Sequence, residues 1–287
     1  NSGTINTSQS KSLIVIDNES RLVNSGTINS ADHIRNDGIL VNEKNGSLKL
    51  SGTALNSGEL YSDGNLQLKG HLTNSGRIYL NTDTQLDGLV TNNALIYADG
   101  HHLDFTSVYS GYGSVYADTM NFYGEIKTER DRVRLNGDVN IASSTALTFM
   151  FDNFVGYSES GAIHVNGDFL FEGAMQLDIL ALLEVGETFD LIVAKDITGS
   201  FDGNLLEDTH SESYWDTDLE IFSKIFYRTI GSTELIRDYD GQNDLVRLTI
   251  DSVQVVPLPT AAWLFGSALL GLSIIGRTRR VDFNSLT

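Results

Sequence analysis

A short motif returns along the first third of the chain, and a chain built that way is a stack of similar units. Asn-Ser-Gly or a close variant begins at Asn24, Asn36, Asn56 and Asn74, with Asn92-Asn93-Ala94 as a worn copy and another Asn-Ser-Gly at Asn1. From Asn24 onward the starts are spaced unevenly at first and then evenly, the last steps settling at one value. After each turn comes a short apolar-alternating run (Ile39 and Val41, Leu60, Ile78 and Leu80). A second turn and another run follow (Leu48 and Leu50, Leu66 and Leu68, Leu86 and Leu89). Period-two alternation between Asn, Gly and Asp turns reads as strand–turn–strand. Asn and Gly tolerate positive φ and so suit tight corners.

A repeat of roughly 18–20 residues with two or three short strands fits one coil of a parallel β-solenoid. One unit cannot bury its apolar row alone, whereas stacked units can, and stacked Asn side chains at equivalent corners can form hydrogen-bonded ladders. The expected fold is all-β: a right-handed parallel β-solenoid, followed by a single C-terminal hydrophobic helix. Repeat coils occupy 1–106 and further β-rich coils 107–255, where the period blurs but strand chemistry continues; about 203–224 reads as an irregular acidic insertion. A β-sandwich of hairpins joined by Asn-Gly turns is the rival, and leucine-rich repeats are a weaker one because their helix-forming half is missing.

Composition narrows the partners. Lys and Arg number 19 against 38 Asp and Glu, a formal charge of −19, which repels phosphate backbones and argues against nucleic acid. There is no cysteine, so disulfides, Cys-zinc sites and a thiol nucleophile are excluded. Residue 1 is Asn and no signal peptide is visible, so the chain is read as a fragment or a processed form.

The C-terminal segment is tripartite. Val256-Pro257-Leu258-Pro259 comes first, then the uncharged, apolar stretch Thr260–Gly276, then the cluster Arg277, Arg279 and Arg280; residues 281–287 form a short tail. As a helix, the stretch spans about 25 Å, enough for a thin bilayer core. Trp263 suits the interface, and the arginines stay cytoplasmic by the positive-inside rule, which places 1–255 outside. A buried core helix, a plain membrane anchor and a sorting signal removed after export are the three readings. The Pro-x-Pro sequence motivates the last, because it holds the chain extended, as a protease cleft requires.

In order and position, these three features resemble the PEP-CTERM sorting signal in its VPLPA-type form. The resemblance covers residues 256–280, with Thr260 where alanine is usual and the tail 281–287 following the arginines. It implies a bacterium with an outer membrane, recognition by an exosortase (a membrane-embedded cysteine protease-transpeptidase) and association with exopolysaccharide or biofilm matrix. By the same resemblance Val256, Pro257, Leu258 and Pro259 are the recognition motif and Arg277, Arg279 and Arg280 the stop cluster. Residues 160–180, 185–202 and 239–250 resemble the closing coils of autotransporter-type passenger β-helices.

The chain contains no G-x-S-x-G, no H-E-x-x-H and no P-loop. The candidate cation site, for calcium, is Asp238, Asp240 and Asp244 around Gly241. Loop position 12 holds Thr249 rather than Glu, and a β-turn is the plainer reading. Tyr61, Tyr79 and Tyr97 recur at one constant interval and would form a ladder on one face, either a glycan platform or a stabilising stack. Glu59 and Arg77, each two places before a Tyr, favour an outward ladder. The expectation is a non-enzymatic, exported surface or matrix protein, structural or adhesive. It is first held in the inner membrane and then cut by an exosortase, which leaves a charge of −21 on the part before Pro257. A polysaccharide lyase or hydrolase on the same scaffold, using paired carboxylates, and a membrane-anchored adhesin are the alternatives.

Overall fold

A computed structural model describes residues 1–7, 16–30, 33–128, 132–151, 163–201, 205–216 and 221–256. The described residues are all-β and wind as a parallel solenoid, three strands to a coil. One face is a nine-stranded sheet from Ile16–Asn18 through Thr53–Asn56 and His71–Asn74 to Ala174–Ile179, one strand per coil. Its neighbours pair in parallel, as Thr53 with His71 and Asn56 with Asn74. The second face runs from Arg21–Asn24 through Glu59–Ser62 to Arg77–Leu80, and the third from Thr27–Ser30 through Asn65–Leu68 to Thr84–Leu86.

Burial sets the parity of every strand. Leu40, Leu60, Ile78 and Ile96 stack in one buried column, and Leu48, Leu50, Leu68, Leu80 and Leu86 belong to the same core. Each buried Leu or Ile contributes roughly 1.5–3 kcal/mol. In Ile39–Asn42 the inward residues are Leu40 and Asn42, so Ile39 and Val41, expected inside from their spacing, face out. Pairing of Leu40 with Leu60 decides this, since a shift by one residue would turn the whole strand over.

The asparagines occupy two corners, not one. Asn18, Asn36, Asn56, Asn74 and Asn92 form one buried ladder, each Nδ2 donating to the next Oδ1 at 2.6–2.8 Å. Asn1, Asn24 and Asn42 form a second, which passes to Ser62. The short interval between Asn24 and Asn36, the odd one in the motif spacing, is the step from one corner to the other. The second proton of each amide goes to a carbonyl beyond the corner, as from Asn56 to Arg77 O at 3.1 Å and from Asn74 to Leu95 O at 3.1 Å. Both donors are thereby satisfied within the protein.

The corner glycines serve a different purpose from the one expected. Gly58 and Gly76 are not among the positive-φ residues. Glycine is required there by close approach: a Cβ on Gly76 would lie 2.1 Å from the carbonyl oxygen of Gly58 in the coil before. Positive φ appears later, as at Gly100 and Gly137, where the second and third faces merge into the continuous strands Leu95–Phe105 and Val133–Ile141. A bulge between Ala98 and His102 replaces the separate turn of the earlier coils.

The solenoid therefore runs well past residue 106 without a break in plan. On the first face the step from Tyr109 to Ile126 is shorter than in the earlier coils and the step from Ile126 to Leu147 is longer, which is why the period blurs in the sequence. Aromatic rings enlarge the later core: Phe105 stacks on Phe122 at 4.7 Å with Tyr109 edge-on to both, and Phe171 stacks on Phe201. Asp244–Val256 pairs antiparallel with Thr188–Ala194 and covers the last second-face edge.

The chain divides into two compact units. The solenoid lies in the first, Asn1–Asp208 with Thr229–Val253; the second is Thr209–Arg228 with Gln254–Thr287. Segment 203–224, expected to be irregular, contains strands Leu205–Asp216 and the start of Ile221–Ile236. The run from Ile221 to Ile236 is rich in Ile, Phe, Thr and Tyr, which favour the extended chain over a loop. Among the described residues no helix is long and apolar enough to cross a membrane. The expected helix Thr260–Gly276 lies outside the described residues.

Candidate functional site

The second face carries a row of tyrosines on its outer side. Parallel register sets Tyr61 beside Tyr79, Tyr79 beside Tyr97 and Tyr97 beside Tyr116. The inward neighbours Leu60, Ile78, Ile96 and Val115 are buried, so alternation sends every ring outward. The sequence pattern locates the first three. Tyr116 escapes it because the step from Tyr97 is longer by one position than the two before it.

The row changes character along its length. Tyr61 and Tyr79 are stacked, 4.6 Å apart and 6° from parallel, so each covers a face of the other. Tyr79 and Tyr97 are 6.1 Å apart and tilted by 57°, and Tyr97 and Tyr116 are 5.5 Å apart and tilted by 38°. Tyr97 and Tyr116 are 36% and 37% exposed. The stabilising stack is the Tyr61 end, and free ring surface is at the Tyr116 end.

Acids hold the hydroxyls of the row. Tyr61 donates to Glu59 Oε2 at 2.9 Å and Tyr97 to Asp99 Oδ2 at 3.2 Å. The hydrogen bond to Glu59, then burial, raises the Tyr61 phenol; the hydrogen bond to Asp99, then its charge, raises that of Tyr97. Both therefore stay protonated donors near neutral pH. Arg77 lies 3.4 Å from Glu59 and completes a charged edge along the stacked pair.

Beyond Tyr116 the bulged corner opens into a groove of about 570 Å³, lined by Tyr116, Asn136 and Asn166 with Asp99, Asp118 and Asp138. Asp118 Oδ1 accepts from the Gly100 N–H at 3.1 Å and Asp138 Oδ1 from the Asp168 N–H at 3.0 Å, each bond joining one coil to the next. The second oxygen of each carboxylate and the two amides present acceptors and donors around an aromatic edge, which suits a hydroxyl-rich ligand.

Asp238, Asp240 and Asp244 lie on one turn but do different work. Asp240 accepts from the backbone N–H groups of Gln242 and Asn243 and from Asn243 Nδ2, which together hold its carboxyl below the usual range. Asp244 is buried and accepts from the N–H groups of Ile197 and Asp238 and from Arg237. Burial pushes its carboxyl up, but these donors outweigh it and the net shift is downward. Among the described residues no group of three or more His, Asp or Glu is placed to hold a metal ion. Val256 is the last residue of Asp244–Val256, whereas Pro257, Leu258, Pro259, Trp263, Arg277, Arg279 and Arg280 lie outside the described residues. No protein-family model, curated protein or solved structure matches the chain.

Proposed function

We propose that this is an exported bacterial surface or extracellular-matrix protein, structural or adhesive and not an enzyme, sorted by an exosortase at Val256–Pro259. In this reading Thr260–Gly276 is the helix that holds the precursor in the inner membrane of a bacterium with an outer membrane, Arg277, Arg279 and Arg280 stop its transfer, and exopolysaccharide is the partner outside. The coil is taken as right-handed, the hand favoured in parallel crossover connections. The observation that carries the reading is the junction at Val256. The described fold reaches Val256, the first residue of the VPLP motif, and the uncharged stretch and the arginines follow directly in the sequence. Cleavage within 257–259 would leave every described strand whole. The tyrosine row and its hydroxyl-binding groove add a surface of the kind a polysaccharide partner needs.

Intact mass of the native protein from cell-surface and inner-membrane fractions tests this. A surface form ending within 256–259 is the expected result. A full-length chain found solely in the inner membrane would overturn sorting and leave a plain anchor.

A further inference from the structure

Next to the groove, on the same outward face as Tyr116, lies a cationic group. Ser114–Phe122 pairs with Val133–Ile141, which sets Ser114 beside Arg134 and Tyr116 beside Asn136. Val133–Ile141 pairs in turn with Ile163–Val165, which sets Arg134 beside His164. Val133, Leu135, Ile163 and Val165 are buried, so Arg134, Asn136 and His164 point outward, on the face that carries the tyrosines. Arg134 is the diagonal neighbour of Tyr116, within reach of a ligand lying on that ring. Arg132 directly precedes the strand, two places before Arg134.

Among the described residues neither arginine forms an ion pair, and Arg132 Nε is buried with no hydrogen-bond partner. Burial first, then the charges of Arg132 and Arg134, hold the His164 imidazole below its usual range, while Asp240 pulls the other way. Burial and then Arg134 also lower Arg132. A buried guanidinium N–H with no acceptor is costly, and adjacent like charges add to the cost. A chain with a formal charge of −19 has carboxylates to spare for such arginines and places none of the described ones against them. Arg134 is exposed, so its guanidinium is open to a ligand oxygen.

We propose that Arg132, Arg134 and His164 bind the carboxylate of an acidic saccharide whose ring lies against Tyr116 and whose hydroxyls meet Asn136 and Asn166. Asp99, Asp118 and Asp138, which line the groove, accept sugar hydroxyls but repel a second negative charge. They therefore favour a singly charged uronate unit over a phosphate or a densely charged polyanion. This rests on the reading of the protein as a matrix component and names the class of glycan it meets.

The test is calorimetric titration of the full chain, in mild non-ionic detergent, with trigalacturonate, and with maltotriose as the uncharged control. Trigalacturonate binds, maltotriose binds at least about tenfold more weakly, and the preference shrinks as salt rises. Arg134→Gln and Arg132→Met each weaken trigalacturonate by about tenfold or more, whereas Lys49→Gln, which removes one charge from another face, leaves it within about twofold. Arg132→Met also leaves the melting temperature unchanged or raised, since it removes an unpaired buried donor; a purely structural arginine would lower it. No binding heat, full affinity in Arg134→Gln, or displacement by equimolar inorganic sulfate would overturn the assignment. None of these bears on sorting, which the mass of the native form tests separately.

Discussion

The coils from Ile16 to Asn92 and those from Val108 to Thr198 share one connectivity but hold their register by different means. In the first set a buried amide stands at the corner of every coil, bonded to the coil on either side. In the second set the asparagine ladder gives way to the buried hydroxyls of Thr128 and Thr145, which donate to carbonyls of neighbouring coils, aromatic rings fill the core, and bulges replace turns. The handover is at Tyr109, a fully buried ring in the first-face column that accepts the last ladder bond, from Asn92 Nδ2 at 3.3 Å. Burial raises its phenol and the bond from Asn92 opposes this, so it stays neutral. A polar ladder admits one register, because a shifted amide loses both partners. Aromatic packing tolerates variation in coil length, and the later steps do vary, as from Tyr109 to Ile126 and from Ile126 to Leu147.

Substitutions can break that contrast, starting with the tightest stack. In Gly88→Ala the new Cβ would lie 1.8 Å from the Gly70 carbonyl oxygen, and the expected loss is about 3 kcal/mol or more, read from the urea midpoint. Asn56→Ala strands the amide of Asn36 and the carbonyl of Asn74 inside the protein, with an expected cost of about 2–4 kcal/mol. Asn140→Ala removes a similar 2.8 Å bond, to Asn121 on the outer face of the later coils, and should cost under about 1 kcal/mol. Equal losses at Asn56 and Asn140 would erase the distinction between the two regions.

Acid sharpens it further. Asp244 has a depressed carboxyl in the folded protein, so its contribution is present above the ordinary 3.8 and is lost as pH falls below that value through the folded one. Asparagine side chains do not titrate. Hydrogen exchange followed by mass spectrometry should therefore show the closing strand Asp244–Val256 loosening in acid before Thr53–Asn56 does. Asp244→Asn should cost about 1–3 kcal/mol near neutral pH and flatten the acid dependence. Smaller effects follow. Tyr109→Phe should cost about 1 kcal/mol, since Asn92 keeps its bond to Ser114 O. Arg77→Gln, at a pair whose arginine is 61% exposed, should stay within about 0.5 kcal/mol by thermal melting.

Much of the fold is legible because a solenoid repeats its physics every coil. Leu60, Ile78 and Ile96 announce a shared inner column by spacing alone, and Tyr61, Tyr79 and Tyr97 an outer one. The groove was not legible. Asn136 and Asn166 each open an Asn-Gly-Asp in the sequence, but nothing in it says that register shifts at Gly100 and opposite Gly137 open the corner between them and Tyr116. The pairing of Arg134 with His164 was hidden for the same reason, since the two are far apart in the chain and become neighbours through strand pairing alone.

By itself the sequence determined the class: a regular coil-length period with two-residue alternation leaves stacked parallel strands as the arrangement that buries every unit's apolar row. It also determined the tripartite ending from Val256 to Arg280. Tertiary structure alone decided that the asparagines split into two ladders, that Ile39 and Val41 face out and that the tyrosine row tilts open at Tyr116. Those outcomes depend on which residues the coils before and after place alongside. A single short strand carries too little information to choose its own register.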